Sequence, residues 1–199
     1  MPSDTVFPQL PYELWAEIIS FCTSKRDLAN LCSANSMIGF IASKHLYSHV
    51  RSSCVVKLAK LYRSVSRNLN IAAQIIALDV NLEPDHSENQ AMIIHFKLQG
   101  ARMRLFFRTR DLLPNLKSLD IQCIRGGSSE VWHALTKNLG YVRARLSRLT
   151  LPYARDCSAL PVFRSQPDLE ELYLQHRYGE HHAEELVNLP STLLLVYVA

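Results

Sequence analysis

In the second half of this chain one apolar spacing keeps returning. Leu116, Leu119 and Ile121 fit the pattern L-x-x-L-x-L, as do Leu146, Leu149 and Leu151, then Leu169, Leu172 and Leu174, and last Leu193, Val196 and Val198. The pattern starts are separated by 30, 23 and 24 residues. Alternation over the closing positions marks a strand with one buried face. Self-similarity at a period of a few tens of residues means that no unit can bury its own apolar side. Stacking must supply the core, each unit adding one short parallel strand and one return segment. The expected fold is therefore α/β. Leu119, Leu149, Leu172 and Val196 should hold equivalent inward positions on adjacent parallel strands, paired in chain order. Ile75, Leu78 and Val80 offer the same spacing earlier, as a more divergent strand.

The segments between these strands read less evenly. Arg125-Gly126-Gly127-Ser128 suits a turn, and Ser129 to Leu139 a helix with Val131, Leu135 and Leu139 inward. Upstream, Val55, Leu58, Tyr62, Val65 and Leu69 lie on one face of a single helix. Lys57, Lys60, Arg63 and Arg67 populate the rest and read as a solvated surface. Glu83 to Asn89 is polar, contains Pro84 and reads as an exposed loop. Met92 to Phe96 fits either a short strand or the start of a helix. Val196 and Val198 are expected on a terminal edge strand, whose unpaired backbone groups invite another chain to add on.

The first 50 residues carry a different pattern. Leu14 and Ile18 repeat at i, i+4 with Leu10 just before them, and Trp15, Ile19 and Cys22 widen the stripe. Pro11 suits a helix start, where its missing N–H costs nothing. Ser24-Lys25-Arg26-Asp27 is a capping sequence for a second helix faced by Leu28 and Leu31. Ile38, Ile41, Ala42 and Leu46 give a third helix the same spacing, and His49-Val50-Arg51 reads as extended. Three helices this short bury little apolar surface by themselves, so a partner surface is expected.

Catalytic patterns are missing. No Gly-x-Ser-x-Gly elbow, phosphate loop or Gly-x-Gly-x-x-Gly occurs. His181 and His182 are adjacent, and adjacent helical side chains point about 100° apart. A helical zinc site needs histidines one turn apart, so this pair reads as a solvated connection. The five cysteines are odd in number, and none is in Cys-x-x-Cys spacing. They read as packing residues in a reducing compartment. No metal, no cofactor and no enzyme activity are expected. Arg102, Arg104, Arg108 and Arg110 surround Leu105-Phe106-Phe107, and basic residues interleaved with aromatics can line a nucleic-acid surface. No nucleic-acid-binding motif accompanies them, and a net charge of +4 over 199 residues is mild.

With 48% hydrophobic residues the chain can bury a substantial core. The longest purely apolar run, Leu193 to Ala199, is seven residues, against roughly twenty for a membrane helix. Asp4 stands where a secretory leader would be basic. The cytoplasm or nucleus is the expected location, with no membrane partner.

In kind and order, Leu10-Pro11 with Glu13-Leu14, Asp27-Leu28 and Leu46-Tyr47-x-x-Val50 resemble an F-box of the kind joined to divergent leucine-rich repeats. The phrase Leu113-Pro114-Asn115-Leu116-Lys117-Ser118-Leu119-Asp120-Ile121 is similar to the repeat strands of those proteins. Helix three departs from the family pattern, with Ile38 where an aromatic is usual and Asn35-Ser36 in place of Ser-Arg. Ile124, Ala154 and Arg177 stand where an Asn or Cys would follow each repeat strand. The resemblance implies an F-box over 8–50, a helical linker with a first divergent repeat over 51–112, and a short, degenerate leucine-rich-repeat-like solenoid over 113–199. It further implies a substrate-recognition subunit of a Skp–cullin–F-box ubiquitin ligase, which binds the Skp adaptor and a protein substrate and performs no bond chemistry. Leu10, Pro11, Leu14, Ile18, Leu28 and Leu31 match the family's apolar positions. Some of the six would face the adaptor, and the rest would pack the chain's own core. The alternative is a non-ligase scaffold, or a nucleic-acid-associated protein with a degenerate F-box.

Overall fold

Among the described residues, six helices and six strands follow one another in a computed structural model of the chain. Described are residues 10–82, 92–122, 135, 137–139, 145–152, 166–175 and 194–198. The chain divides into two compact units between Ser48 and His49. The expected segments 51–112 and 113–199 belong together in the second.

The first unit holds α1 (Tyr12–Ser20), α2 (Lys25–Leu31) and α3 (Ser36–Ser48). Each start has a local cause. Pro11 precedes α1 as its cap residue with ψ 152°, and its carbonyl accepts from the Trp15 N–H at 3.2 Å. Ser24 caps α2 by accepting from the Asp27 N–H, as its sequence predicts. Asn35 accepts from the Ile38 N–H at 2.8 Å and starts α3. Ile19, Leu28, Ile38, Ile41 and Ala42 form the core, with Trp15, Ala16, Cys22, Leu31, Cys32, Met37 and Leu46 packed around them. At Gly39 the backbones of α2 and α3 come so close that an added Cβ would stand 2.7 Å from the Cys32 carbonyl oxygen.

The second unit is built on one parallel sheet. Its strands are β1 (His49–Ser52), β2 (Ala77–Asn81), β3 (Ser118–Gln122), β4 (Arg148–Pro152), β5 (Glu171–Gln175) and β6 (Leu194–Val198), paired in that order. The molecule is thus mixed α/β with parallel strands in chain order, as the repeat spacing predicts. Leu78, Leu119, Leu149 and Leu172 share one register column, and Leu151 and Leu174 share the next. Val80 pairs with Ile121 in the same inward series, and all of these side chains are buried. The divergent early strand is confirmed as β2. His49-Val50-Arg51 is extended as expected and joins the sheet as β1.

The last strand corrects the sequence reading. Leu172 pairs with Leu195 and Tyr173 with Val196, so Val196 is one place out of the inward column. Leu193 to Val198 is apolar at every position, so alternation does not say which of its residues face inward. Backbone geometry decides, with the Leu194 N–H donating to the Glu170 carbonyl at 2.9 Å. The corrected frame has a regular period: Leu149 to Leu172 and Leu172 to Leu195 are both 23 residues.

Three helices of this unit are described from end to end: α4 (Val55–Arg67), α5 (Leu69–Gln74) and α6 (Met92–Asp111). The helix expected to run through Leu69 breaks at Asn68, which takes an extended conformation and accepts from the Asn70 and Ile71 N–H groups. Leu69 is therefore 70% exposed, whereas Leu58 and Val65 are buried as predicted. Met92 to Phe96, ambiguous in sequence, opens α6. Residues 135 and 137–139 are helical, with Leu135 and Leu139 buried. Val131, the turn at 125–128, the loop at 83–89 and Ile124, Ala154 and Arg177 lie outside the described residues.

Candidate functional site

Helix α1 is apolar on two sides. At 100° per residue, Trp15, Ala16, Ile19 and Cys22 fall on one arc and pack into the core of the helical unit. Leu14, Ile18 and Phe21 fall on another arc and are 44%, 51% and 77% exposed, and Leu10 and Pro11, just before the helix, are exposed as well, Leu10 at 41%. A helix with one partnered face normally turns polar residues outward. Here the second apolar face stays in solvent.

This separates the six residues matched to the F-box pattern. Leu10, Pro11, Leu14 and Ile18 are all exposed. Leu28 is 4% exposed and belongs to the internal core, and Leu31 packs half-buried against the same core. Sequence reasoning had assigned the i, i+4 pair Leu14 and Ile18 and the flanking Trp15 and Ile19 to one broad stripe. It passed over Phe21, three residues beyond Ile18, and Phe40, exposed on α3. The helical spacing from Ile18 was the signal for Phe21, whereas nothing in the pattern marked Phe40.

The sheet unit offers a surface of opposite chemistry. Opposite the buried leucines, the register aligns Arg51, Asp79, Asp120, Thr150 and Tyr173 across β1 to β5. His49 Nε2 lies 2.8 Å from Asp79 Oδ2. Gln122 Nε2 reaches Asp120 Oδ2 at 3.5 Å, while Asp120 Oδ1 is shielded from solvent and has no hydrogen-bond partner. Burial pushes the Asp120 carboxyl above the usual carboxylate range, and the neighbouring Asp79 charge adds to this against weaker pulls from Gln122, Arg51 and His49. Farther along, Arg148 Nε donates to Glu171, its Nη2 donates to the Tyr173 hydroxyl at 3.0 Å, and its guanidinium stacks on the Tyr173 ring. The Arg148 hydrogen bond, seconded by the Tyr173 hydroxyl, holds the Glu171 carboxyl below its ordinary range.

The basic cluster on α6 is divided by the fold. Arg102 and Arg110 are buried, and Arg104 and Arg108 are exposed. Arg110 donates to the Asn138 carbonyl and to Asp111 and stacks on Phe107, so its charge serves the interior. Lys57, Lys60, Arg63 and Arg67 on α4 are all exposed, in keeping with a solvated helix surface. Among the described residues no group of three or more His, Cys, Asp or Glu side chains is placed to hold a metal ion, and no helix is long and apolar enough to cross a membrane. His181 and His182 lie outside the described residues. No family model, no curated protein and no solved structure matches the chain.

Proposed function

We propose that this chain is a substrate-recognition subunit of a Skp–cullin–F-box ubiquitin ligase. The second apolar face of α1 carries the reading, because a unit that already owns a core keeps Leu10, Pro11, Leu14 and Ile18 in solvent. The F-box-like order of residues over 8–50 names the occupant of that face, the Skp adaptor. Leu28 and Leu31 then serve the unit's own core. The parallel sheet is read as a short, degenerate leucine-rich-repeat-like solenoid that presents a protein substrate. Such a subunit performs no bond chemistry. It raises the effective concentration of a substrate lysine near the charged conjugating enzyme, and its place of work is the cytoplasm or nucleus. The nucleic-acid alternative loses Arg102 and Arg110, which are buried.

The test is binding of the purified full chain to purified Skp adaptor. Leu10→Ala with Pro11→Ala should weaken it by about 1–3 kcal/mol, the range of well-packed interface anchors. Leu14→Asp with Ile18→Asp should abolish it while leaving the circular-dichroism spectrum unchanged, since both side chains are solvent-facing. A wild-type chain that does not bind the adaptor would overturn the proposal.

A further inference from the structure

Helix α4 holds the chain's excess of positive charge. Its 13 residues include Lys57, Lys60, Arg63 and Arg67 and no acidic residue. Those four charges equal the net +4 of the whole chain, so Lys and Arg balance Asp and Glu over the rest of the sequence. At 100° per residue, Lys60, Arg63 and Arg67 fall with Val56 on one arc about 60° wide. All four are exposed, Val56 at 58%. The opposite side of the helix carries Leu58 and Val65, which are buried.

A helix face kept only for solvation mixes both signs, because at i, i+3 and i, i+4 opposite charges attract and like charges repel. On α4, Lys60 and Arg63 are three residues apart and Arg63 and Arg67 four. Among the described residues, the side chains of Lys60, Arg63 and Arg67 are in no hydrogen bond or ion pair. Lys57, beside the stripe, donates to the Ser53 hydroxyl at 2.8 Å, which leaves its charge uncompensated. Apolar side chains flank these cations. Val56 stands in the first turn of the stripe, and Leu69, two residues past Arg67, is 70% exposed.

We propose that this stripe docks an acidic α-helix of a partner protein. The match is one of charge and of spacing. Carboxylates three and four residues apart on a second helix repeat the axial rise from Lys60 to Arg67, about 10 Å. Val56 and Leu69 offer apolar contact at either end, which suits side chains and has no counterpart in a phosphate backbone. The stripe carries no aromatic ring on which a base could stack. It also lacks the broad apolar face that a helix needs to lie in a lipid surface, since that face of α4 is spent on the core. Docking replaces like-charge repulsion along α4 with opposite-charge pairs. The surface uses none of the residues assigned to the adaptor.

The experiment measures fluorescence anisotropy on the full chain. The probe is a labelled, alanine-based helical peptide with glutamate at i, i+3, i+4 and i+7 and a leucine at each end of that stripe. An isomer of the same composition spreads the glutamates around the helix. The stripe peptide should bind at least tenfold more tightly than the isomer. Lys60→Gln with Arg63→Gln should weaken it at least tenfold. Arg104→Gln with Arg108→Gln removes the same charge from exposed positions of α6 and should change it less than twofold. Circular dichroism checks that both variants keep their helix content. Four results overturn the site: no binding of the stripe peptide, equal binding of the two peptides, equal loss in the two variants, or tighter binding to a DNA duplex or to phosphatidylserine vesicles. Adaptor binding is measured on the same variants and should be unchanged in both. Failure of this surface and failure of the adaptor reading are therefore separately visible.

Discussion

The helical unit leaves apolar side chains in water, whereas the sheet unit leaves carboxylates partly out of it. Leu14, Ile18 and Phe21 are exposed beside a core formed by Ile19, Leu28 and Ile41. Asp79 and Asp120 sit side by side above a core of Leu78 and Leu119, and Asp120 Oδ1 is unsatisfied. Both departures cost stability, and they differ in what would relieve them. An exposed apolar stripe is relieved by area, and any complementary apolar groove will serve. A carboxylate pair is relieved by a cation in the right place, which is a sharper demand.

The largest expected effect marks where core ends and surface begins. Leu172→Ala should cost roughly 2–5 kcal/mol in chemical denaturation, as truncations of buried leucine do, because Leu172 is fully buried in the sheet's central column. Leu14→Ala should cost little by the same measurement. A Leu14 loss equal to that of Leu172 would break the comparison, since the stripe would then belong to a core. In the helical unit, Gly39→Ala should cost about 1–3 kcal/mol, the range for overpacking. Its new Cβ meets backbone rather than a movable side chain. Hydrogen exchange should locate the loosening in residues 12–48.

Gln166→Ala comes next. The buried Gln166 side chain accepts from the Leu146 N–H at 2.9 Å. Leaving that buried donor unpaired should cost about 1–3 kcal/mol, read as a lower denaturation midpoint. The smallest effect has the opposite sign. The folded Asp120 carboxyl lies above its unfolded value, so its stabilising contribution is present below the unfolded carboxylate range and is lost as pH rises through the folded value. At neutral pH Asp120→Asn should therefore raise the melting temperature, and the gain should fade as the pH drops below the carboxylate range. A neutral-pH loss of stability in this variant would mean that the carboxylate pair is not under strain.

Period explains what could be read from the sequence. In the sheet, Leu116-x-x-Leu119-x-Ile121 and its later copies alternate strictly, so inward and outward residues separate without ambiguity. Alternation fails at Leu193 to Val198, where every residue is apolar, and the frame slips there by one. In α1 apolar residues occupy both arcs, so spacing alone could not tell Ile18, in solvent, from Ile19, in the core. The carboxylate pair on the sheet was not marked by the sequence. Asp79 and Asp120 are 41 positions apart in the chain, and only the register makes them neighbours. Asn68 ended a helix that the apolar spacing would have continued, because its side chain serves the next helix start better than its backbone continues the last. Arg102 and Arg110 looked like surface charge, and their burial depends on groups far along the chain, such as the Asn138 carbonyl that Arg110 reaches.

One backbone detail recurs at the head of successive strands. The carbonyl of Ile76 accepts from the N–H groups of both Lys117 and Ser118. The carbonyl of Lys117 accepts from Ser147 and Arg148, and that of Ser147 from Glu170 and Glu171. Each of β3 to β5 is clamped to its predecessor at its first residues by backbone donors, and the Ser147 hydroxyl also reaches the Lys117 carbonyl, at 3.4 Å. The stretch between clamps is then free to vary in length, as the intervals of 41, 30 and 23 residues from Leu78 to Leu119, Leu149 and Leu172 illustrate. Insertions and deletions in the crossovers leave the rows of outward side chains aligned, so such a scaffold can evolve new loops while preserving the pattern of side chains on its strands.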